Sequence, residues 1–535
     1  MAVAVLGLAC AHPTRPTLTV SPLAAPESAY LGLRSLRDTI DVTSARGRDS
    51  VAGAAARYAA ARQHVQQRLA ATGGALPDSD RRAADVMRRA LEGDLGPLDV
   101  PSAGDTAAPS CDYDPAALAT PADSGARLRA RMYACFGQAA RRVIVGARDT
   151  LDRLTVLGMI SQSDDPVRRR ALFLALAPIW RSVNGDDGSA SPYRTALRAI
   201  GRSAGDDSAG YLGVSPDTLT RWLTSILEAW RSVMPDTVVE PWDYFYLAGA
   251  ASRRLSPRIA RGDLVPITER AYRALGADLR GLDVRYDLDP RDGKTPVAYT
   301  TFGSRGHLAG GQWVRSTAWV FATYPVGGFD NLTELMHETG HAIHISAIHT
   351  RPAFEDWPDS DPLTEAIGDV VALDVYEPRW QWRLLGDSVP LAAGLRAKYA
   401  SIVLDIAWAL FEVRERADPA GDPNVVWTDI TSRYLRIAPH PEWSWWAMRG
   451  QLVDAPGYMM NYALGAIVAA DLRDGIRRRH GAFVDGDATW YGWVSDQLFQ
   501  FGLARSSRDV IPAVLGRPLS PRALLDDLHR LNVTR

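Results

Sequence analysis

The run His337-Glu338-Thr339-Gly340-His341 narrows the possible folds of this 535-residue chain more than any other feature. Two imidazoles four residues apart lie on one face of an α-helix as neighbours, close enough for both to reach one ion. A second segment, Glu365-Ala366-Ile367-Gly368-Asp369, begins 28 residues after His337. Asp361-Pro362 just ahead of it marks a helix start, because proline suits a first turn. The chain is therefore expected to set a helix over 331 to about 348, capped by Asp330 or Asn331, against a second helix that Pro378 ends.

The residue types at that crossing point to one chemistry. His337, His341 and Glu365 supply two neutral imidazoles and a carboxylate, a donor set for a single zinc ion (Zn2+) with its fourth position open to water. Glu338 stands beside the ion rather than on it, where it can act as general base toward that water. Asp369, one turn after Glu365, can accept a hydrogen bond from a ligand imidazole and fix its tautomer. The competing reading is an ordinary amphipathic helix with exposed Glu and Asp. His344 and His349 read as packing or surface residues, since three ligands are already assigned.

Around this pair the chain reads as mainly α. Segments around 45–72, 78–94, 125–160 and 165–182 carry apolar residues at three- and four-residue spacing. The stretches 100–126 and 201–216 read as surface loops. Strand-like alternation is confined to 282–286, 297–302 and 313–322, a small sheet placed before the motif helix. Length alone admits two to four domains. The pattern reads instead as residues 1–27, a leader and Pro-rich linker, followed by one unit over 28–535. Within that unit, 28–235 is a helical N-terminal part and 236–535 the catalytic part.

Bulk properties exclude more than they assign. The formal net charge of −2 gives no support for nucleic-acid binding. Lys294 and Lys398 are the only lysines, an arginine bias that reads as genome composition rather than function. No window approaches the roughly 20 apolar residues that span a bilayer. The apolar start MAVAVLGLACA resembles the end of a bacterial secretion signal, with Cys10 where a lipid anchor would be attached; it lacks a basic n-region. Export is the expectation, a cytoplasmic location the alternative. Cys111 and Cys135 form either a disulfide or two unpaired thiols.

The motifs resemble known families. HETGHAIH is similar to the motif of the thimet-oligopeptidase and oligopeptidase F family. TEAIGDVVAL and the 28-residue interval resemble angiotensin-converting enzyme and its bacterial relatives. The segment 241–246 (PWDYFY) is similar to an oligopeptidase segment, 409–427 to a converting-enzyme region, and 457–462 (GYMMNY) to a tyrosine motif of both. The resemblance covers about 240–475. It implies a two-lobed, mainly α zinc metallopeptidase with a deep channel, and the small sheet beside the motif helix. It implies hydrolysis of short peptides by a monomer, as oligopeptidase or peptidyl-dipeptidase. A carboxypeptidase on the same metal set and a catalytically silent peptide binder are the alternatives.

By the same resemblance, Tyr458 and Tyr462 donate to an oxyanion or position substrate, unless they are core tyrosines. Arg449 is placed to bind a terminal carboxylate. Gln451 stands where the converting enzymes have a histidine, leaving His440 and His307 as candidates for that role. The run 315–319 (RSTAW), with Thr317 and Trp319, is expected on an edge strand against which substrate is laid.

Overall fold

Asp or Ser followed by Pro recurs along the chain, and several of these pairs open a helix. The side chains of Asp165, Ser215, Asp361 and Asp422 accept hydrogen bonds from backbone N–H groups of the first turn, and proline follows as the first helical residue. The computed structural model describes all residues except 1–20, 46–51, 73–75, 99–110, 112–123, 147–148, 186–190, 201–206, 292–293, 295–296, 358–360 and 534–535. Cys10 and most of the 100–126 loop lie outside the described residues. The architecture is mainly α, with the small sheet packed on the motif helix. Among the described residues no helix is long and apolar enough to cross a membrane.

The N-terminal helices α1 (Ala24–Ala45), α2 (Ala52–Ala70) and α3 (Asp78–Glu92) share their own apolar core, built on Tyr30, Leu33, Val65 and Met87 with Phe354 from the main body. Ion pairs hold this layer down. Arg351 bonds Glu27 and Asp80, Arg305 bonds Asp38, and Arg34 pairs with Asp356.

Helical periodicity at 125–160 is interrupted. Helix Ser124–Arg141 is followed by a hairpin of β1 (Val143–Val145) and β2 (Asp149–Leu151), and a new helix runs Arg153–Gln162. Strands are thus not confined to the middle patch, because Gly146 at φ 66° turns the chain back on itself. Helix Asp207–Leu212 likewise falls inside the expected 201–216 loop. Cys111 and Cys135 are disulfide-bonded.

The middle sheet has the order β3 (Val284–Asp287), β7 (Thr317–Phe321), β4 (Tyr299–Ser304). β7 runs parallel to β3 and antiparallel to β4. It is therefore the central strand, and the expected edge at Thr317 and Trp319 is filled on both sides. The outer strand on the channel side is β4. The hairpin β5 (His307–Ala309) and β6 (Gln312–Val314) separates β4 from β7 in sequence.

Two helix boundaries also differ from expectation. The motif helix spans Phe329–Ala347, and neither Asp330 nor Asn331 caps it. The Ser256 hydroxyl, from elsewhere in the chain, accepts from Phe329 N–H at 3.0 Å instead. Pro378 does not end the Glu365 helix, which spans Pro362–Ala372; it opens the next one, Pro378–Leu385.

Candidate active site

Two glycines set how closely the motif helix and the Glu365 helix cross. A Cβ on Gly340 would stand 2.7 Å from the Gly368 carbonyl oxygen, and one on Gly368 would stand 2.6 Å from the His337 ring. No side chain tolerates such contacts, so only glycine allows the backbones this near. Both residues are visible in the motifs, but that they meet is a fact of the crossing.

At the crossing the three expected ligands converge. His337 Nε2 lies 3.0 Å from His341 Nε2 and 3.6 Å from Glu365 Oε2. One donor atom from each residue falls within 4.8 Å of the others. Two nitrogens on one tetrahedral zinc ion, each at ~2.0–2.1 Å, stand roughly 3.3 Å apart, so the cluster fits such an ion. His337 Nδ1–H donates to Asp369 Oδ1 at 2.8 Å, which turns Nε2 toward the other two residues. Against burial, the Asp369 charge raises the His337 pKa well above the ordinary imidazole range, so a bound ion would take the place of the Nε2 proton. Burial pushes His341 down to about 3, leaving it a neutral imidazole at physiological pH. Burial works against the Glu365 carboxylate. Its hydrogen bond to His337, the charge of that imidazole and the Tyr458 hydroxyl overcome this and hold its pKa below the ordinary range.

Glu338 is buried beside this cluster. Burial pushes its pKa up to about 7, against the opposing charge of His337 and a hydrogen bond from Thr300. Thr300 Oγ1, on β4, donates to Glu338 Oε2 at 2.7 Å and so fixes the carboxyl's direction. A carboxyl with a pKa near neutrality both accepts and returns protons readily.

The tyrosines sit on helix Tyr458–His480, which packs across both the Glu365 helix and the long helix Leu391–Ala417. Glu412 on the long helix accepts from Gly457 N–H at 2.7 Å and Met459 N–H at 3.0 Å, capping the tyrosine helix at its start. Tyr458 Oη donates to Glu365 Oε1 at 2.9 Å, and its ring packs edge-on against Tyr462 at 5.1 Å.

His337, Glu338, His341, Glu365, Tyr458 and Tyr462 line one cavity of about 610 Å3, together with Arg449, Gln451 and Asp369. Arg449 pairs with Asp405 and lies over the Trp408 ring at 4.7 Å. Other predicted residues lie elsewhere. Thr317 and Trp319 do not line the cavity; β7 turns Ala318 and Val320 into the core under the motif helix, so alternation sends its other residues to the opposite face. His440 is held between Glu240 and Glu442, each at 2.8 Å, and stacks on Trp443. His307 sits on the exposed β5–β6 hairpin. Among the described residues, His337 and His341 are the only histidines lining the cavity. His344 packs between the rings of Trp357 and Phe499, and His349 stacks on Trp313. Sequence reasoning missed Thr300, Asp405 and Arg153 as lining residues. No local signal marks them, and Arg153 is one arginine in an arginine-rich chain.

No protein-family model and no curated protein matches the chain. Solved structures do. An M32 carboxypeptidase from Deinococcus radiodurans R1 superposes with a TM-score of 0.58 at 13% identity, covering 95% of this chain and 99% of its own. A second solved structure, described only as "The Structure of CHT", gives a TM-score of 0.54 at 13% identity, with the same shares covered. At that identity the likeness establishes a shared fold. It runs along almost the whole chain, whereas the motif resemblance to converting enzymes and oligopeptidases spans only the second half.

Proposed function

We propose that this protein is a zinc-dependent carboxypeptidase acting on short, unfolded peptides. The observation that carries the reading is the convergence of His337, His341 and Glu365 with Glu338 beside them on one cavity wall. The fold shared with an M32 carboxypeptidase supports the exopeptidase mode over the oligopeptidase one. Peptidyl-dipeptidase action is the second reading, favoured by the similarity of TEAIGDVVAL and by the position of Arg449 relative to Tyr458.

Bound zinc supplies Lewis acidity, polarising the scissile carbonyl and lowering the pKa of water toward neutrality. The chain's own residues do the rest. Glu338 takes a proton from the attacking water and returns it to the leaving nitrogen, oriented throughout by Thr300. Tyr458 and Tyr462 present hydroxyls to the oxyanion of the tetrahedral intermediate. Arg449 receives the terminal carboxylate, and β4 offers backbone groups along which a peptide can be laid. Asp369 holds the His337 imidazole in the ligating tautomer. An exported location is part of the proposal. The Cys111–Cys135 disulfide supports it, since such bonds persist in oxidising compartments. A lipid anchor at Cys10 and a monomeric state complete the reading.

Product mapping by mass spectrometry tests it. A mixed set of peptides about 5–15 residues long, sized for an enclosed cleft, is digested by wild type and Glu338→Gln protein, half of the set amidated. Single C-terminal residues released from free acids alone, with turnover lost in the variant, support the carboxypeptidase. Dipeptide products establish the second reading, and internal cuts establish an oligopeptidase. No cleavage by zinc-loaded wild type overturns the peptidase assignment.

A further inference from the structure

Beside the metal cavity lies a second one of about 320 Å3. The two share Arg153, Leu154, Asp330, Tyr376, Ser401 and Arg449 as lining residues, so they adjoin there. Away from this junction the wall is largely apolar, formed by Leu157, Phe245, Ala248, Leu404, Trp408 and Met448. Polar groups in that wall are engaged within the protein. The Tyr244 hydroxyl donates to the Ala400 carbonyl at 2.8 Å, and the Ser161 hydroxyl to the Gly158 carbonyl at 2.8 Å. The volume falls within the roughly 300–1,000 Å3 of small-molecule sites, with the apolar lining typical of them.

The junction is cationic in a specific way. Arg449 already has a carboxylate, that of Asp405. Arg153 donates to one backbone acceptor, the Met448 carbonyl at 3.2 Å, and makes no carboxylate pair among the described residues. A guanidinium carries five N–H donors, and the other contact of this one is with the Phe136 ring, 5.8 Å from its centroid. Burial and the charge of Arg449 push the Arg153 pKa down to about 10, the behaviour of a cation short of counter-charge.

A peptide's terminal carboxylate and last side chain diverge from a single α-carbon. An anion site at the mouth of an apolar pocket, adjoining a hydrolytic metal cavity, suits that pair of groups. We infer that the second cavity takes the side chain of the substrate's C-terminal residue, with Arg153 joining Arg449 on the terminal carboxylate. Large apolar and aromatic C-terminal residues are then removed in preference to small or charged ones. The inference rests on the carboxypeptidase reading and names its substrate class. One residue argues the other way: Asp330 also borders the junction, bonded to the Ser252 hydroxyl at 2.8 Å, and is in no ion pair among the described residues. If it selected the side chain, lysine or arginine would be favoured.

The test compares kcat/KM for matched peptides ending in Phe, Leu, Gly, Asp and Lys, alongside calorimetric binding of N-acetyl-phenylalanine and its amide. Burial of a large apolar side chain sets the expected preference for Phe over Gly at roughly tenfold to a hundredfold. Ala248→Phe and Leu157→Trp, which fill the cavity from different walls, bring that ratio toward one; melting curves and zinc content show that each is folded. Arg153→Met raises KM for free acids by about tenfold or more with a smaller change in kcat, and Arg153→Lys recovers part of the loss. A purely structural role would not separate free acids from amides in this way. Cleavage indifferent to the last residue, or favouring Lys, overturns the inference and leaves the peptidase reading standing. Absence of cleavage with Arg153-dependent binding of N-acetyl-phenylalanine, tighter than its amide, removes the peptidase reading and supports the pocket. Absence of both overturns both.

Discussion

Asp369 shows what a single residue contributes here. Its carboxylate touches only the far nitrogen of His337, yet it decides which nitrogen faces the metal. Asp369→Asn is expected to weaken zinc affinity by about 10–100-fold, read by chelator competition, with little change in the melting curve of the metal-free protein. Glu415 gives a prediction about pH. Both of its carboxylate oxygens are buried without a hydrogen-bond partner, and burial pushes its pKa up to about 8. A carboxyl raised in the folded state contributes stability fully below its ordinary pKa of ~4.3, and that contribution is lost as pH rises through about 8. Glu415→Gln should therefore raise Tm at pH 8–9 by roughly 1–3 °C and leave it nearly unchanged at pH 5; an equal shift at both would contradict the assignment. At this scale the meeting of His337 and His341 was legible, because helical spacing alone puts them together. Arg153 and Thr300 were not, since each reaches the cavity from a different part of the chain.

Among elements, the helix crossing carries the site. Gly368→Ala drives a methyl into the His337 ring and is expected to abolish zinc binding while the far-ultraviolet circular dichroism stays helical. Retention of stoichiometric zinc in that variant would show that the ring can give way. The boundaries misread from sequence share a cause: the signal that settles them lies elsewhere in the fold. Ser256 caps the motif helix from a different segment. Pro378 carried a correct local message, a boundary, but opens a helix rather than closing one. The single strand expected at 313–322 divides between β6 and β7 in two sheets, and the edge expected at 315–319 falls on a central strand. Alternation reveals a strand's two faces and is silent about its neighbours.

For the whole molecule, the mainly α class and the sheet beside the motif helix followed from periodicity. The attachment of α1–α3 did not, since its contacts link residues up to 422 positions apart. That attachment uses buried charge. Arg305 and Asp38 are only 4% and 7% exposed at their side chains and bond through two nitrogens. Asp38→Ala leaves the guanidinium of Arg305 with fewer counter-charges, and a cost of about 3–5 kcal/mol is expected. Limited proteolysis should then cut within α1–α3 before the rest of the chain, because the layer has a separate apolar core.

The glycine crossing also bears on how such chains are recognised. A crossing where two helices touch is written in few letters: Gly340, Gly368, His337, His341, Glu365, Glu338 and Asp369. At 13% identity the likeness to an M32 carboxypeptidase is one of fold. Kin of this protein are better sought with HExGH followed by ExxGD at the observed interval than with any longer stretch of its text.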